Sequence, residues 1–173
     1  RLDNMFDYLP YDYVSGQWQG IRLRESSYEN EIRYTDVHGT FDGIKVDSAD
    51  VSRLKLDIEN STIHNCQGYA LTAESAKIIM RNCEFTNALR NCICINGGET
   101  DINNCTIAQF YPFDSNRGSA LYFSMSKYPQ CSFTCINSLV TGYADDEMMI
   151  ETYDEDEKYE ANYLFDHCII RTP

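Results

Sequence analysis

Proline and glycine are scarce, at 4 and 9 of 173 residues. That shortage excludes a run of tight two-residue hairpins, whose turns demand Gly, Asn or Asp at fixed positions. Long apolar runs are missing too: stretches such as Met148-Met149-Ile150 are a few residues long, against the roughly 20 that a membrane-crossing helix needs. No membrane-spanning segment is expected. Basic residues are outnumbered, 14 Lys and Arg against 27 Asp and Glu, for a net charge of −13. A surface of that sign repels phosphate, so neither nucleic acid nor anionic lipid is an expected partner. Helical periodicity is also lacking, whereas the recurrent Tyr, Thr, Ile and Ser favour strand. Residue 1 is arginine with no charged-then-apolar leader behind it, which reads as a mature fragment or a segment of a longer polypeptide.

What is present is a repeat. Asn60-Ser61-Thr62-Ile63, Asn82-Cys83-Glu84-Phe85 and Asn104-Cys105-Thr106-Ile107 follow one another at steps of 22 residues. Asn137-Ser138-Leu139-Val140 and His167-Cys168-Ile169-Ile170 continue the series at steps of 33 and 30, and Tyr34-Thr35-Asp36-Val37 precedes it by 26. Two residues before each marker stand Ile32, Ile58, Met80, Ile102, Cys135 and Phe165; three after it stand Val37, Ile63, Phe85, Ile107, Val140 and Ile170. Both columns are apolar, and the flanking positions alternate with the period of two that strands require. A further strand per unit reads Ile21-Arg22-Leu23, Ile44-Lys45-Val46, Tyr69-Ala70-Leu71, Ile93-Cys94-Ile95, Leu121-Tyr122-Phe123 and Met148-Met149-Ile150, with first and third residues inward.

Three short strands and three bends per coil, stacked at about 4.8 Å, make a right-handed parallel β-helix. The expected fold is therefore all-β: one solenoid domain over residues 1–173, of about six coils. A leucine-rich repeat has a similar period, but its leucine framework is missing. At the marker, Asn tolerates the left-handed backbone of a bend, and its amide bonds along a ladder. The next column (Thr35, Ser61, Cys83, Cys105, Ser138, Cys168) is uniformly small, as the inside of a sharp corner requires.

That column also accounts for three of the eight cysteines, and Cys135 falls in an inward apolar one. Free Cys behaves there as a small buried hydrophobe. Cys92-Ile93-Cys94 lacks zinc-site spacing. Disulfides between neighbouring coils remain open at this level.

Gly16-Gln17-Trp18-Gln19-Gly20-Ile21, followed by the Asn-Cys/Ser-x-apolar repeats, resembles the exported β-helix repeat proteins of Gram-negative gut bacteria in the pectin-lyase-like superfamily. The resemblance implies an extracellular, cell-surface or periplasmic protein, such as an outer-membrane lipoprotein, associated with glycan handling. Polygalacturonase-like members carry Asn-Thr-Asp, Asp-Asp, Gly-His-Gly and Arg-Ile-Lys, of which only Asp145-Asp146 has a counterpart here; His38, His64 and His167 lie in no Gly-His-Gly. The calcium cluster and opposing base of pectate-lyase-like members have no assignable residues.

Function in solenoids concentrates where loops protrude from the stack. The bend at 110–118 lengthens, and the same edge of the next coil carries 142–147, so the two loops should be neighbours. Phe110, Tyr111, Phe113 and Tyr143 offer flat faces for sugar rings, while Asp114, Arg117, Asp145 and Asp146 offer hydrogen bonds to hydroxyls. If the edge were catalytic, Asp114 would face Asp145 or Asp146 across about 5–10 Å, one of them with a raised pKa. The acidic stretch 151–160 reads as a solvated loop lacking the calcium-hand pattern, which leaves calcium as a weak cofactor expectation. His38 and His64 read as stacked surface imidazoles, and Phe6, Tyr8, Tyr11, Tyr13 and Trp18 as a cap on the first coil. The expected function is a glycan-binding or structural surface module, with other segments of the same polypeptide as neighbours. The alternatives are a polysaccharide lyase or glycoside hydrolase acting on an acidic polysaccharide, and an adhesive spacer.

Overall fold

The computed structural model describes residues 14–128, 131–152 and 162–173, and among these every regular element is a strand. The first coil holds β1 (Ile21–Leu23), β2 (Asn30–Arg33) and β3 (Asp36–His38); the second holds β4 (Ile44–Val46), β5 (Leu54–Glu59) and β6 (Thr62–Cys66). The third holds β7 (Leu71–Arg81) and β8 (Glu84–Ala88), and the fourth holds β9 (Ile93–Asn103) and β10 (Thr106–Gln109). The fifth holds β11 (Leu121–Ser124), β12 (Ser132–Ile136) and β13 (Leu139–Gly142), and the sixth holds β14 (Met148–Glu151), β15 (Tyr163–Asp166) and β16 (Ile169–Ile170).

All strand pairs are parallel and run between neighbouring coils. One face is β1-β4-β7-β9-β11-β14, a second is β2-β5-β7-β9-β12-β15, and a third is β3-β6-β8-β10-β13-β16. The long strands β7 and β9 serve two faces each, bending at Ser75 and at Gly97-Gly98, which have positive φ. A Cβ at Gly98 (φ 85°) would lie 2.3 Å from the Ala76 carbonyl oxygen, so the bend requires glycine.

The apolar columns stack as the repeat predicts. Ile32, Ile58, Met80, Ile102, Cys135 and Phe165 are successive partners, and so are Val37, Ile63, Phe85, Ile107, Val140 and Ile170. The middle members of both are buried, each worth about 1.5–3 kcal/mol as a side chain removed from water. One assignment is corrected. Leu71-Thr72-Ala73, and not Tyr69-Ala70-Leu71, pairs with Ile44-Lys45-Val46. Ala70 takes the tight inner corner, and Tyr69 stays outside, half-buried. A slip of two preserves which side chains face inward, so alternation alone cannot detect it.

The corner between the second and third faces explains the marker. Tyr34, Asn60, Asn82, Asn104, Asn137 and His167 all have φ between 50° and 54°, and Asn82 Nδ2 donates to Asn60 Oδ1 at 2.6 Å. In the following column each hydroxyl or thiol donates to the carbonyl two residues back: Thr35 to Arg33, Ser61 to Glu59, Cys83 to Arg81, Cys105 to Asn103, Ser138 to Ile136 and Cys168 to Asp166, at 2.7–3.4 Å. The column is thus selected for a donor as well as for size. Asn65 and Asn87, also 22 residues apart and with φ of 53° and 54°, mark further left-handed positions within β6 and β8; the sequence reading did not single these out.

Candidate functional site: a groove along the first face

The two loops at 110–118 and 142–147 are neighbours. The Phe110 ring meets Tyr143 edge-on at 4.9 Å, and the Arg117 guanidinium lies 4.6 Å over the Tyr143 ring. Arg117 Nη1 also donates to the carbonyls of Tyr111 and Asp114, at 3.3 and 2.8 Å. Phe110, Phe113 and Tyr143 are 39%, 59% and 57% exposed. Tyr111 offers no open face: it is 5% exposed, its hydroxyl shares a 2.9 Å hydrogen bond with Ser15 Oγ, and its ring packs against Phe113. Here the chain has folded an aromatic back over the coil edge.

Two carboxylates of this edge, Asp114 and Asp146, accept local backbone N–H groups, while Asp145 stays exposed beside Arg171. Asp114 Oδ1 accepts the Asn116 N–H at 2.8 Å, Asp146 Oδ1 accepts the Met148 N–H at 3.3 Å, and Asp145 lies 3.6 Å from Arg171. Among the described residues, the carboxyl whose pKa is raised is Glu147, where burial outweighs the N–H groups of Ala144 and Ala120 and the charges of Arg117 and Arg171. Glu147 is fully buried, accepting the Ala144 N–H at 2.7 Å and the Ala120 N–H at 2.8 Å. It fastens the 143–146 loop to the preceding coil and presents no oxygen to solvent.

Beside this edge, two adjoining cavities share Tyr69 and Arg90. One, of about 380 Å³, is lined by Tyr69, Arg90, Asn91, Asp114, Asn116 and Arg117; the other, of about 360 Å³, by Phe41, Asp42, Lys45, Tyr69, Glu74 and Arg90 among others. Together they form a groove that crosses successive coils beside the first face. Arg90 lies 5.4 Å over the Tyr69 ring and donates to its hydroxyl at 3.4 Å.

The cations separate into two sets. Arg22, Arg33, Arg53, Lys77, Arg81, Lys127 and Arg171 each have a carboxylate within 4 Å. Among the described residues Arg24, Lys45, Arg90 and Arg117 have none at that distance; Arg24 is exposed away from the groove, and the other three line it. Lys55, also without one, is buried and donates to the Arg24 and Glu25 carbonyls. The groove's own acids are committed: Asp42 accepts the Tyr69 N–H, Glu74 accepts from Asn96 and Lys127, and Asp114 accepts from Asn116. Guanidinium forks on aromatic faces, left without carboxylates, suit an anionic ligand with flat apolar surfaces. Of this groove, the sequence marks Asp114 and Arg117 as site residues, whereas Lys45 and Tyr69 enter it only as strand positions and Arg90 not at all.

Elsewhere, the His38 and His64 rings stack at 5.1 Å, and His64 Nε2 lies 3.0 Å from Asp36. No group of three or more His, Cys, Asp or Glu that could hold a metal ion occurs among the described residues. Most of the acidic stretch at 151–160, and Phe6, Tyr8, Tyr11 and Tyr13 of the proposed cap, lie outside the described residues. Trp18 donates from Nε1 to the His38 carbonyl at 3.0 Å. All eight cysteines are free, and burial pushes Cys66 and Cys94 up to about 11 and Cys92 to about 12.

No curated protein and no solved structure matches the chain. A family model described as the right-handed beta helix region matches residues 19–171, the span over which the parallel coils are laid down. By that match and by its stacked three-strand coils, the chain belongs to the right-handed β-helix family.

Proposed function

We propose that the protein is a glycan-binding β-helix module whose groove takes an acidic polysaccharide. The observation that carries this reading is that three cations without a carboxylate within 4 Å, Lys45, Arg90 and Arg117, gather along one groove of a chain with a net charge of −13. Tyr69 and Tyr143 add aromatic faces against which sugar rings stack, each already carrying a guanidinium. Two carboxylate or sulfate groups on successive sugars would meet Arg90 and Arg117 through charge-assisted hydrogen bonds. A polymer of this kind is met outside the cell, which agrees with a surface or secreted location.

The binding reading is favoured over hydrolysis or elimination because the carboxyl with a raised pKa, Glu147, is buried against backbone amides and lines neither cavity. Affinity electrophoresis on a uronate-rich polysaccharide and on a neutral one tests the proposal. The expected result is retardation by the acidic polymer alone, weakened about 10-fold or more in R90Q/R117Q, since each hydrogen bond to a charged group contributes about 1.5–3 kcal/mol. Equal mobility of the parent and the double variant in the acidic gel would overturn it. New reducing ends or unsaturated uronates in the same incubation would establish an enzyme instead.

A further inference from the structure

Cys135 and Cys168 stand apart from the other cysteines. Their Sγ atoms are 3.8 Å apart, and the Cys168 thiol also points at the Cys135 carbonyl at 3.3 Å. Cys135 is fully buried on the inward side of β12 in the fifth coil, whereas Cys168, at the corner before β16 in the sixth, is partly exposed. Cys83 and Cys105 occupy neighbouring positions of the corner column but are only 4% and 3% exposed, so no reagent reaches them in the folded chain. One partner of the 135–168 pair is open to solvent and the other waits behind it.

We propose that Cys135 and Cys168 are a disulfide-forming pair that locks the sixth coil onto the fifth under oxidising conditions. Small side-chain rotations bring the sulfurs from 3.8 Å to the bonding distance of about 2.05 Å. A low-molecular-weight disulfide serves as the oxidant. The Cys168 thiolate attacks one of its sulfurs, forming a mixed disulfide and expelling one thiolate, which takes up the proton that Cys168 gave up. Cys135 then loses its proton to solvent and attacks Cys168 Sγ, expelling the second thiol. Two cysteine thiols and one small disulfide become one protein disulfide and two small thiols, with two electrons passing to the reagent. Burial and the neighbouring Cys168 raise the Cys135 pKa, so the second step quickens as pH rises.

The lock has a place to act. Among the described residues the sixth coil has a neighbour on one side only, and its inward residues Met148, Ile150, Phe165 and Ile170 are just partly buried. A bond between residues 33 positions apart restrains the chain segment that pairs least.

The test treats the folded chain with oxidised glutathione, quenches with an alkylating agent, and maps cysteines by mass spectrometry. The expected result is loss of two hydrogens and a linked 135–168 peptide pair. In Cys168→Ser the link disappears while the fold is kept, because Ser61 and Ser138 occupy the same column. In Cys135→Ala, Cys168 retains a glutathione adduct. Amide exchange in β15 and β16 should slow roughly tenfold in the linked form. A natively folded chain that forms no 135–168 link overturns the proposal. So do links scattered over Cys83, Cys105 and Cys131, or a link that leaves exchange unchanged.

Discussion

Two glutamates four positions apart bracket β14 and titrate in opposite directions. Burial raises the Glu147 pKa above its ordinary 4.5, while hydrogen bonds from Tyr122 and Ser124, at 2.7 Å each, lower that of Glu151. A raised folded-state value means that the native chain holds its proton more tightly, so the Glu147 contribution to stability falls as pH rises above about 4.5. The Glu151 contribution is present above that value and is lost as pH falls through its depressed one. Carboxyl-detected NMR titration should show the two midpoints on opposite sides of 4.5, and Tyr122→Phe should move the Glu151 midpoint up without moving that of Glu147. Gly142 is fixed by the same glutamate: a Cβ there would lie 2.1 Å from Glu147 Oε1 and 2.7 Å from the Gln109 carbonyl oxygen. Gly142→Ala should therefore cost about 1–3 kcal/mol, read as a lowered urea midpoint.

At the scale of the coil, the corner is a single device repeated six times: a residue with positive φ followed by a donor that closes on the carbonyl two back. Ser138 shows what the device holds. Its hydroxyl donates to the Ile136 carbonyl and accepts the buried Cys105 N–H from the coil below. Ser138→Ala should lose about 1–3 kcal/mol by leaving that N–H unpaired. Ser138→Cys should lose less, since thiols fill the column at 83, 105 and 168; urea unfolding of both variants checks the ranking. This much was legible in the sequence, because every coil repeats the pattern in the same place. The register of Leu71 was not, since a slip of two leaves the alternation intact. Nor was the groove, whose Lys45, Tyr69, Arg90 and Arg117 come from different coils and fall in no common column of the repeat. Tyr111 misled for a related reason: its partner, Ser15, is 96 residues away.

For the whole molecule, strand pairing joins each coil only to its neighbours, so protection should be graded along the stack. Amide exchange is expected to be slowest in β7 and β9, whose inward residues Leu71, Ile78, Met80, Ile93 and Ile95 are fully buried, and fastest in β1 and β16. A uniform rate across all six coils would contradict a nearest-neighbour solenoid. The net charge of −13 acts over the same length. Raising salt from 10 mM to 150 mM should raise the melting temperature, by screening self-repulsion, while weakening retention on an acidic glycan.

Because the coil from Asn60 to Arg81 begins and ends at equivalent corners, it is a transferable unit of 22 residues. Copying it in tandem inserts a storey whose floor and ceiling already match the ones it meets. Tandem duplication of that stretch of gene is therefore a low-risk route by which such rods grow taller.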